Sequence, residues 1–215
     1  MLKTQNRVLS ILEIRQVVKY HKTGGRRLNS PAVQLRFAIF RLSCCAGLRV
    51  SEIVGLNLGD FYFDVPRPYI RIRKEITKGH RRPGSDVTTR KERHVGIWID
   101  DETTEDLKRW YQFRLLQSGG DMNAPFICGQ TLKNTGKRLK RTLVAELWKT
   151  SLRTLGPQRA RLAIHSGRHT CLSHLVLNYP LPFVRDYAGH RSIATTSLYL
   201  HSFDEDTFST SAFQV

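Results

Sequence analysis

No stretch of this sequence approaches the ~20 consecutive apolar residues that crossing a bilayer requires. Its opening segment, MLKTQNRVLS, is polar and basic, with no apolar signal segment behind it. Both absences predict a protein of the cytoplasm with no membrane partner, either nucleoid-associated or in a host cytoplasm if a virus or mobile element encodes it. Cysteine is sparse: Cys44, Cys45, Cys128 and Cys171, without a Cys-x-x-Cys spacing. That pattern supports neither a zinc site nor a disulfide framework, and it predicts reduced, mostly buried thiols. Acid is scarcer still, with 18 Asp and Glu against 35 Lys and Arg and a formal net charge of +17. Such an excess favours a polyanion as partner, nucleic acid ahead of an anionic membrane surface.

What is present fits a globular chain. The 215 residues suffice for one well-buried core or two small ones, and no internal repeat or long linker interrupts them. A short helix is expected within Val8 to Tyr20. Ser30 then caps, and Pro31 opens, a helix that is apolar on most sides and stops at Gly47. A second short helix runs from about Ser51 to Leu56. The period changes at PRPYIRIRKEI, where Tyr69, Ile70, Ile72 and Ile76 read as a half-buried strand. RKERHVGIWI alternates again at Val95, Ile97 and Ile99, and the two pieces form the arms of a long basic hairpin. Asp101 caps a helix over about Glu102 to Leu116, and Pro125 to Cys128 is a candidate third strand. A basic amphipathic helix follows over Lys137 to Leu155, with Leu143, Val144, Leu147 and Leu152 turned to the core. Further helices are expected over Gly167 to Leu177, Leu181 to Tyr187 and Ser192 to Leu200. The fold class is mainly α (α+β), a helical domain with a small antiparallel sheet.

Three separated segments carry chemistry: AGLRVSEI around Arg49, IHSGRHT around His165 and Arg168, and DYAGHRSIATTSLYLH, where His190 precedes Tyr199 by nine residues. Singly they mean little, since an isolated Arg is usually surface charge and an isolated Tyr usually packing. Their order and spacing resemble those of the tyrosine recombinases of the phage integrase and Xer type. Members have Gly-x-Arg-x-Ser-Glu early, His-x-x-Arg late, then Gly-His and a Tyr near the end. Here these elements are Gly47-Leu48-Arg49-Val50-Ser51-Glu52, His165-Ser166-Gly167-Arg168, Gly189-His190 and Tyr199. The resemblance covers most of residues 30–201 and implies a catalytic domain over residues 1–201.

The chemistry explains the set. Cutting DNA by transesterification creates a five-coordinate phosphorane with extra negative charge on its non-bridging oxygens. Two guanidiniums, Arg49 and Arg168, can grip those oxygens through several directed N–H donors each. His190 is a third donor; His165 shares that role or accepts the tyrosine proton, and the sequence leaves both open. Tyr199 is the nucleophile, with the surrounding cations expected to favour its phenolate. Glu52, three residues after Arg49, orients a basic residue of the site. The resemblance implies a 3′-phosphotyrosyl intermediate, a free 5′-hydroxyl, and rejoining by a 5′-hydroxyl of the partner strand. Neither cofactor nor metal is called for, and the motifs hold no carboxylate cluster suggestive of a two-metal site.

The family supplies the leaving oxygen's proton from a hairpin lysine. Lys78 is the choice here, with Lys91 and Lys74 as alternatives, because the position three before Lys91 is Thr88, where Lys is typical. HRRPGSDV lengthens the turn, Gly96 stands where Pro is usual, and Gly167 replaces a commonly apolar residue, lowering helix propensity or admitting a close approach. Double-stranded DNA is the expected partner. Its backbone contacts are expected from Arg71, Arg73, Lys74, Arg81, Arg82, Arg90, Lys91 and Arg93 on the hairpin, and from Lys133, Lys137, Arg138, Lys140 and Arg141 further on.

Family members usually carry a helical DNA-binding domain ahead of the catalytic one, and too few residues precede Ser30 to form it. Residues 202–215, with Phe208 or Phe213 as anchor, are a candidate docking segment between subunits. The active assembly would be a homotetramer on paired DNA sites, with a monomer possible without DNA. Two rivals remain: a type IB topoisomerase, and a non-catalytic DNA-binding protein that retains the fold.

Overall fold

The computed structural model describes residues 8–23, 30–77, 80–81, 88–89 and 91–200, with backbone pairing alone for 80–81 and 88–89. The centre of the molecule is α2 (Pro31–Phe40), continued by a π-helical turn over Arg41–Cys45. Ser30 caps it, its hydroxyl accepting from the Val33 amide at 3.4 Å, and Pro31 stands at the first helical position. Leu35, Ile39, Phe40, Leu42 and Cys44 are buried along its length. Around it pack α1 (Ile11–Thr23), α4 (Asp101–Gln117), α5 (Arg141–Ser151) and α6 (His165–Asn178).

The π turn ends where the chain must reverse. Ala46 donates to Arg41 O at 3.0 Å and Leu48 to Leu42 O at 2.9 Å. Gly47 adopts φ +65°, a conformation that costs glycine little. The chain leaves extended at Arg49 and enters α3 (Val50–Gly55). α6 crosses the π turn closely at Gly167, where an added Cβ would lie 2.3 Å from Ser43 Oγ and 2.7 Å from the Trp148 ring. Of the two readings of this glycine, the close approach is the one realised.

A three-stranded antiparallel sheet lies beside this bundle: β1 (Phe61–Tyr62), β2 (Tyr69–Ile72) and β5 (Arg93–Gly96), in the order β1-β2-β5. Ile70 pairs with Val95 and Ile72 with Arg93, so Ile70, Ile72 and Val95 share the buried face. The hairpin continues as β3 (His80–Arg81) paired with β4 (Thr88–Thr89). The C-terminal part adds α7 (Leu181–Ala188) and α8 (Ile193–Ser197). The four cysteines are free thiols, three of them buried. No helix among the described residues is long and apolar enough to cross a membrane.

Several expected boundaries move, each for a local reason. The β2 arm ends at Ile72 rather than reaching Ile76, because the Arg73 side chain turns onto Asp60 at 2.8 Å and the Gly55 carbonyl at 2.9 Å. Residues 73–77 then form a turn, with Ile76 against Gly55. Pro125 to Cys128 is not the third strand. It makes isolated bridges with Asn57 and Arg138, while Phe61–Tyr62 completes the sheet. Asp100, not Asp101, precedes the first turn of α4. α5 begins at Arg141, since residues 137–138 are held extended against Cys128–Gly129 and by the Arg138 fork on the Val54 and Leu56 carbonyls. Leu143, expected in the core, is 47% exposed, whereas Val144 and Trp148, one turn apart, are buried.

Gly167→Ala should lower the free energy of unfolding by about 1–2 kcal/mol despite alanine's better helix propensity, because Ser43 is fixed by its bond to the Ile164 carbonyl. Chemical denaturation of parent and variant measures this, and a stabilised variant would contradict the close-approach reading.

Candidate active site

Glu52 is the innermost piece of the site. Its carboxylate is fully buried and takes four N–H donors. Arg93 Nη1 and Nη2 reach its two oxygens at 2.9 Å each, Arg49 Nη1 reaches Oε1 at 3.0 Å, and the Arg49 amide reaches Oε2 at 2.9 Å. Burial pushes the carboxyl's pKa up, but hydrogen bonds and charge from Arg93, then the charge of Arg49, outweigh it and bring the value down to about 2. Arg49 is thereby held by both backbone and side chain at the start of α3, with a fifth of its side chain exposed.

Arg168, on the first turn of α6, is 1% exposed. Its Nη1 donates to the Gly47 carbonyl at 2.7 Å and its Nη2 to the Ala188 carbonyl at 2.6 Å. Burial, then the charge of Arg49, lowers its pKa to about 10, which leaves it charged at neutral pH. Arg49 and Arg93 thus share one carboxylate while Arg168 rests on backbone carbonyls, an arrangement that favours an incoming anion.

His190 follows the left-handed Gly189 that ends α7. Its Nε2 lies 3.2 Å from Arg168 Nη2, and its Nδ1 lies 3.0 Å from Thr196 Oγ1. A guanidinium can only donate, so Nε2 accepts and the ring proton sits on Nδ1. Burial, then the charges of Arg168 and Arg49, lower the His190 pKa to about 4, consistent with a neutral ring. Its expected role as a hydrogen-bond donor to a non-bridging oxygen therefore requires the ring to gain or shift a proton, since Nδ1 faces Thr196 and Nε2 accepts from Arg168.

Tyr199 stands just past α8, whose cap Ser192 accepts from the Ala194 amide at 3.2 Å. It is 7% exposed, yet it lines a cleft of about 630 Å3 together with Arg49, His165, Arg168, His190 and Arg191. Its ring stacks against His190 at 5.8 Å and lies 5.2 Å from that of His169. The expected pull of surrounding cations towards the phenolate is present, from Arg168 and Arg49, but it is outweighed. Burial raises the phenol's pKa above the ordinary value, and the opposing pull of Arg168 and Arg49 does not cancel it. Tyr199 is a neutral phenol here.

The geometry thus brings together five of the six residues expected to carry chemistry, with Glu52 behind them. Lys78 lies outside the described residues, as do Arg82, Arg90 and the 202–215 segment, and the side chain of Arg81 is likewise undescribed. Among the basic residues expected on DNA, Lys74, Lys91, Lys133, Lys137, Lys140 and Arg141 are exposed. Arg71 lies 3.7 Å from Asp60, and Arg73 and Arg138 bind acceptors of their own chain. Arg93 departs furthest: only 10% of its side chain is exposed, its fork is taken by Glu52, and its Nε donates to the Tyr187 carbonyl at 3.1 Å. Its expected DNA contact gives way to an inward role. His169 went unremarked in the sequence. Its signal was there, four residues after His165 on one helix face, and the two rings meet edge to face at 4.7 Å. Among the described residues no group of three His, Cys, Asp or Glu could hold a metal ion.

A mainly helical domain with a three-stranded sheet, built around paired arginines and a tyrosine, is the class that fold and site define. The chain matches the Phage integrase family over residues 7–206 and belongs to that family. It is 32% identical over 165 residues to the tyrosine recombinase XerC of Stutzerimonas stutzeri, covering 76% of this chain and 47% of that protein. It is 29% identical over 171 residues to a probable integrase/recombinase protein of Methanocaldococcus jannaschii, covering 76% and 44%. The chain thus spans about half the length of these relatives. Among solved structures, the XerA recombinase superposes with a TM-score of 0.69 at 18% identity, over 94% of this chain and 60% of that one. The XerH recombinase in a post-cleavage complex with its difH substrate gives 0.68 at 19% identity, over 94% and 51%.

The Glu52 geometry has a pH signature. Its folded pKa lies below the unfolded value near 4.5, so its contribution of about 3 kcal/mol is fully present above pH 4.5 and is lost as the pH falls towards 2. The stability difference between parent and Glu52→Gln should shrink by about that amount across this window in denaturation curves. A difference independent of pH would contradict the shared-carboxylate geometry.

Proposed function

We propose that this chain is the catalytic domain of a site-specific DNA recombinase that cuts and rejoins strands through a 3′-phosphotyrosyl intermediate. The observation that carries the reading is the shared cleft in which the Tyr199 phenol lies beside Arg49 and Arg168. A scissile phosphate entering it would meet N–H donors from two guanidiniums whose positions are already set, so little reorganisation accompanies the growth of charge. The phenol would attack phosphorus, forming the Tyr–O–P bond and releasing the 5′-oxygen. Because the phenol is neutral at rest, its proton has to leave as the bond forms. His165 and His169, on the same helix face, are the nearby bases. His190, drawn to a protonated state by the phosphate, would donate to a non-bridging oxygen.

Lys78 serves as acid for the leaving 5′-oxygen in this reading, delivered by the hairpin when DNA binds. Lys74, Lys91, Lys133, Lys137, Lys140 and Arg141 offer backbone contacts, with Arg81, Arg82 and Arg90 on the hairpin. Double-stranded DNA is the substrate, no cofactor is used, and a homotetramer on two sites performs exchange, with residues 202–215 docking between subunits. The similarity to an integrase/recombinase and a tyrosine recombinase favours strand exchange over supercoil relaxation.

Incubation with nicked suicide substrates in chelator, followed by denaturing electrophoresis, tests the chemistry. A covalent protein–DNA band is expected for the parent and none for Tyr199→Phe; a band that persists in the variant would assign the nucleophile elsewhere. Lys78→Ala should slow cleavage of an ordinary 5′-oxygen link by about a hundredfold or more, the usual scale of general acid catalysis, and leave a 5′-thiolate link nearly untouched. Equal slowing of both would move the acid to another lysine.

A further inference from the structure

We propose that Arg93 is a positioning residue that sets the relative placement of the two phosphate-gripping guanidiniums, an inference that rests on the phosphate-binding reading of the cleft. Arg93 opens strand β5, far in sequence from every residue it organises. Towards α3, its fork covers both oxygens of Glu52, at 2.9 Å each, and the same carboxylate holds the Arg49 side chain and amide. Towards α7, its Nε donates to the Tyr187 carbonyl at 3.1 Å. The next carbonyl, that of Ala188, anchors Arg168 at 2.6 Å. Gly189 then lies flat on the Arg93 side chain, where an added Cβ would come within 2.9 Å of Cδ, and His190 follows. A single side chain therefore braces the supports of Arg49, Arg168 and His190.

The electrostatics gives the bracing its purpose. Arg49 and Arg168 repel each other, and the relief of that repulsion is held until an anion arrives. Glu52, with four donors on its two oxygens, has no lone pair left over and little freedom to turn. Without the Arg93 fork, Glu52 could rotate to pair with Arg49 alone, drawing that guanidinium away from the phosphate position. Lysine cannot substitute, since one ammonium cannot span two carboxylate oxygens and the Tyr187 carbonyl in this planar arrangement. Arg93 does not line the cleft that holds Tyr199, so it acts through Arg49 and Arg168.

The experiment uses the full chain and tungstate, a tetrahedral oxyanion, titrated against the side-chain N–H resonances of Arg49 and Arg168. Parent, Arg93→Lys, Arg49→Lys, the double variant and Arg159→Lys are compared, with thermal unfolding measured for each. Arg93→Lys should weaken tungstate binding about tenfold and shift the Arg49 Nε–H resonance. The double variant should bind no worse than Arg49→Lys, because both substitutions disable one unit. Arg159→Lys, which removes another strapped arginine, one held by Glu13 of α1, should leave the affinity unchanged even if it lowers the melting temperature. Unaltered affinity in Arg93→Lys, or penalties that multiply in the double variant, would overturn the positioning role. Tungstate that fails to perturb Arg49 and Arg168 in the parent would overturn the phosphate-binding reading itself, and this inference with it.

Discussion

Bringing like charges together in a protein interior is unfavourable unless something fixed opposes their separation. Here that something is one carboxylate. Glu52 sits fully buried between Arg49 and Arg93, and its hydrogen bonds decide where Arg49 can be. Arg168 is held without any acid, by two backbone carbonyls whose dipoles point at its guanidinium. Those carbonyls belong to Gly47, at the end of the π turn, and Ala188, at the end of α7. The placement of Arg168 thus depends on how two helices terminate. The left-handed glycines at 47 and 189 make both terminations possible.

The same crowding sets the resting state of the other groups. Arg168 and Arg49 lower the basicity of His190, and burial acts in the same direction, so the ring is neutral and turned proton-first towards Thr196. For Tyr199 the two influences oppose each other and burial prevails, keeping the proton on the phenol. Both groups therefore rest in their less reactive form. A phosphodiester entering the cleft would offset part of the positive charge and make protonation of His190 easier, while leaving the phenol to be deprotonated by a neighbouring base.

The sequence made most of the architecture legible. Ser30-Pro31 announced the central helix, alternation at Ile70, Ile72 and Val95 announced the sheet, and helical spacing placed α4, α6 and α7 to within a few residues. Misreadings came where a long-range contact overrode a local preference. Ile76 has strand character but packs on Gly55. Leu143 has core character but sits one position off the buried stripe of Val144 and Trp148. The Lys137–Lys140 run is helix-compatible, yet the bridge to Cys128 and the Arg138 fork keep its first half extended. Gly55 lies far in sequence from Ile76, and the Val54 and Leu56 carbonyls far from Arg138, so no window of neighbouring residues could have revealed those contacts.

By itself the sequence determined which chemistry is available: two arginines, two histidines and a tyrosine in family order, on a chain with a large cationic excess. It determined the helical class and the hairpin as well, because periodicity and capping are local properties. Only the tertiary structure decided what each basic residue does. Arg93 and Lys91 look alike in a basic run, but one lies against Glu52 with little of its side chain exposed and the other is exposed, since α3 packs close to the start of β5 and not to the residues before it. It also decided the charge state of Tyr199 and His190, because a pKa depends on burial and on neighbours brought together from across the chain.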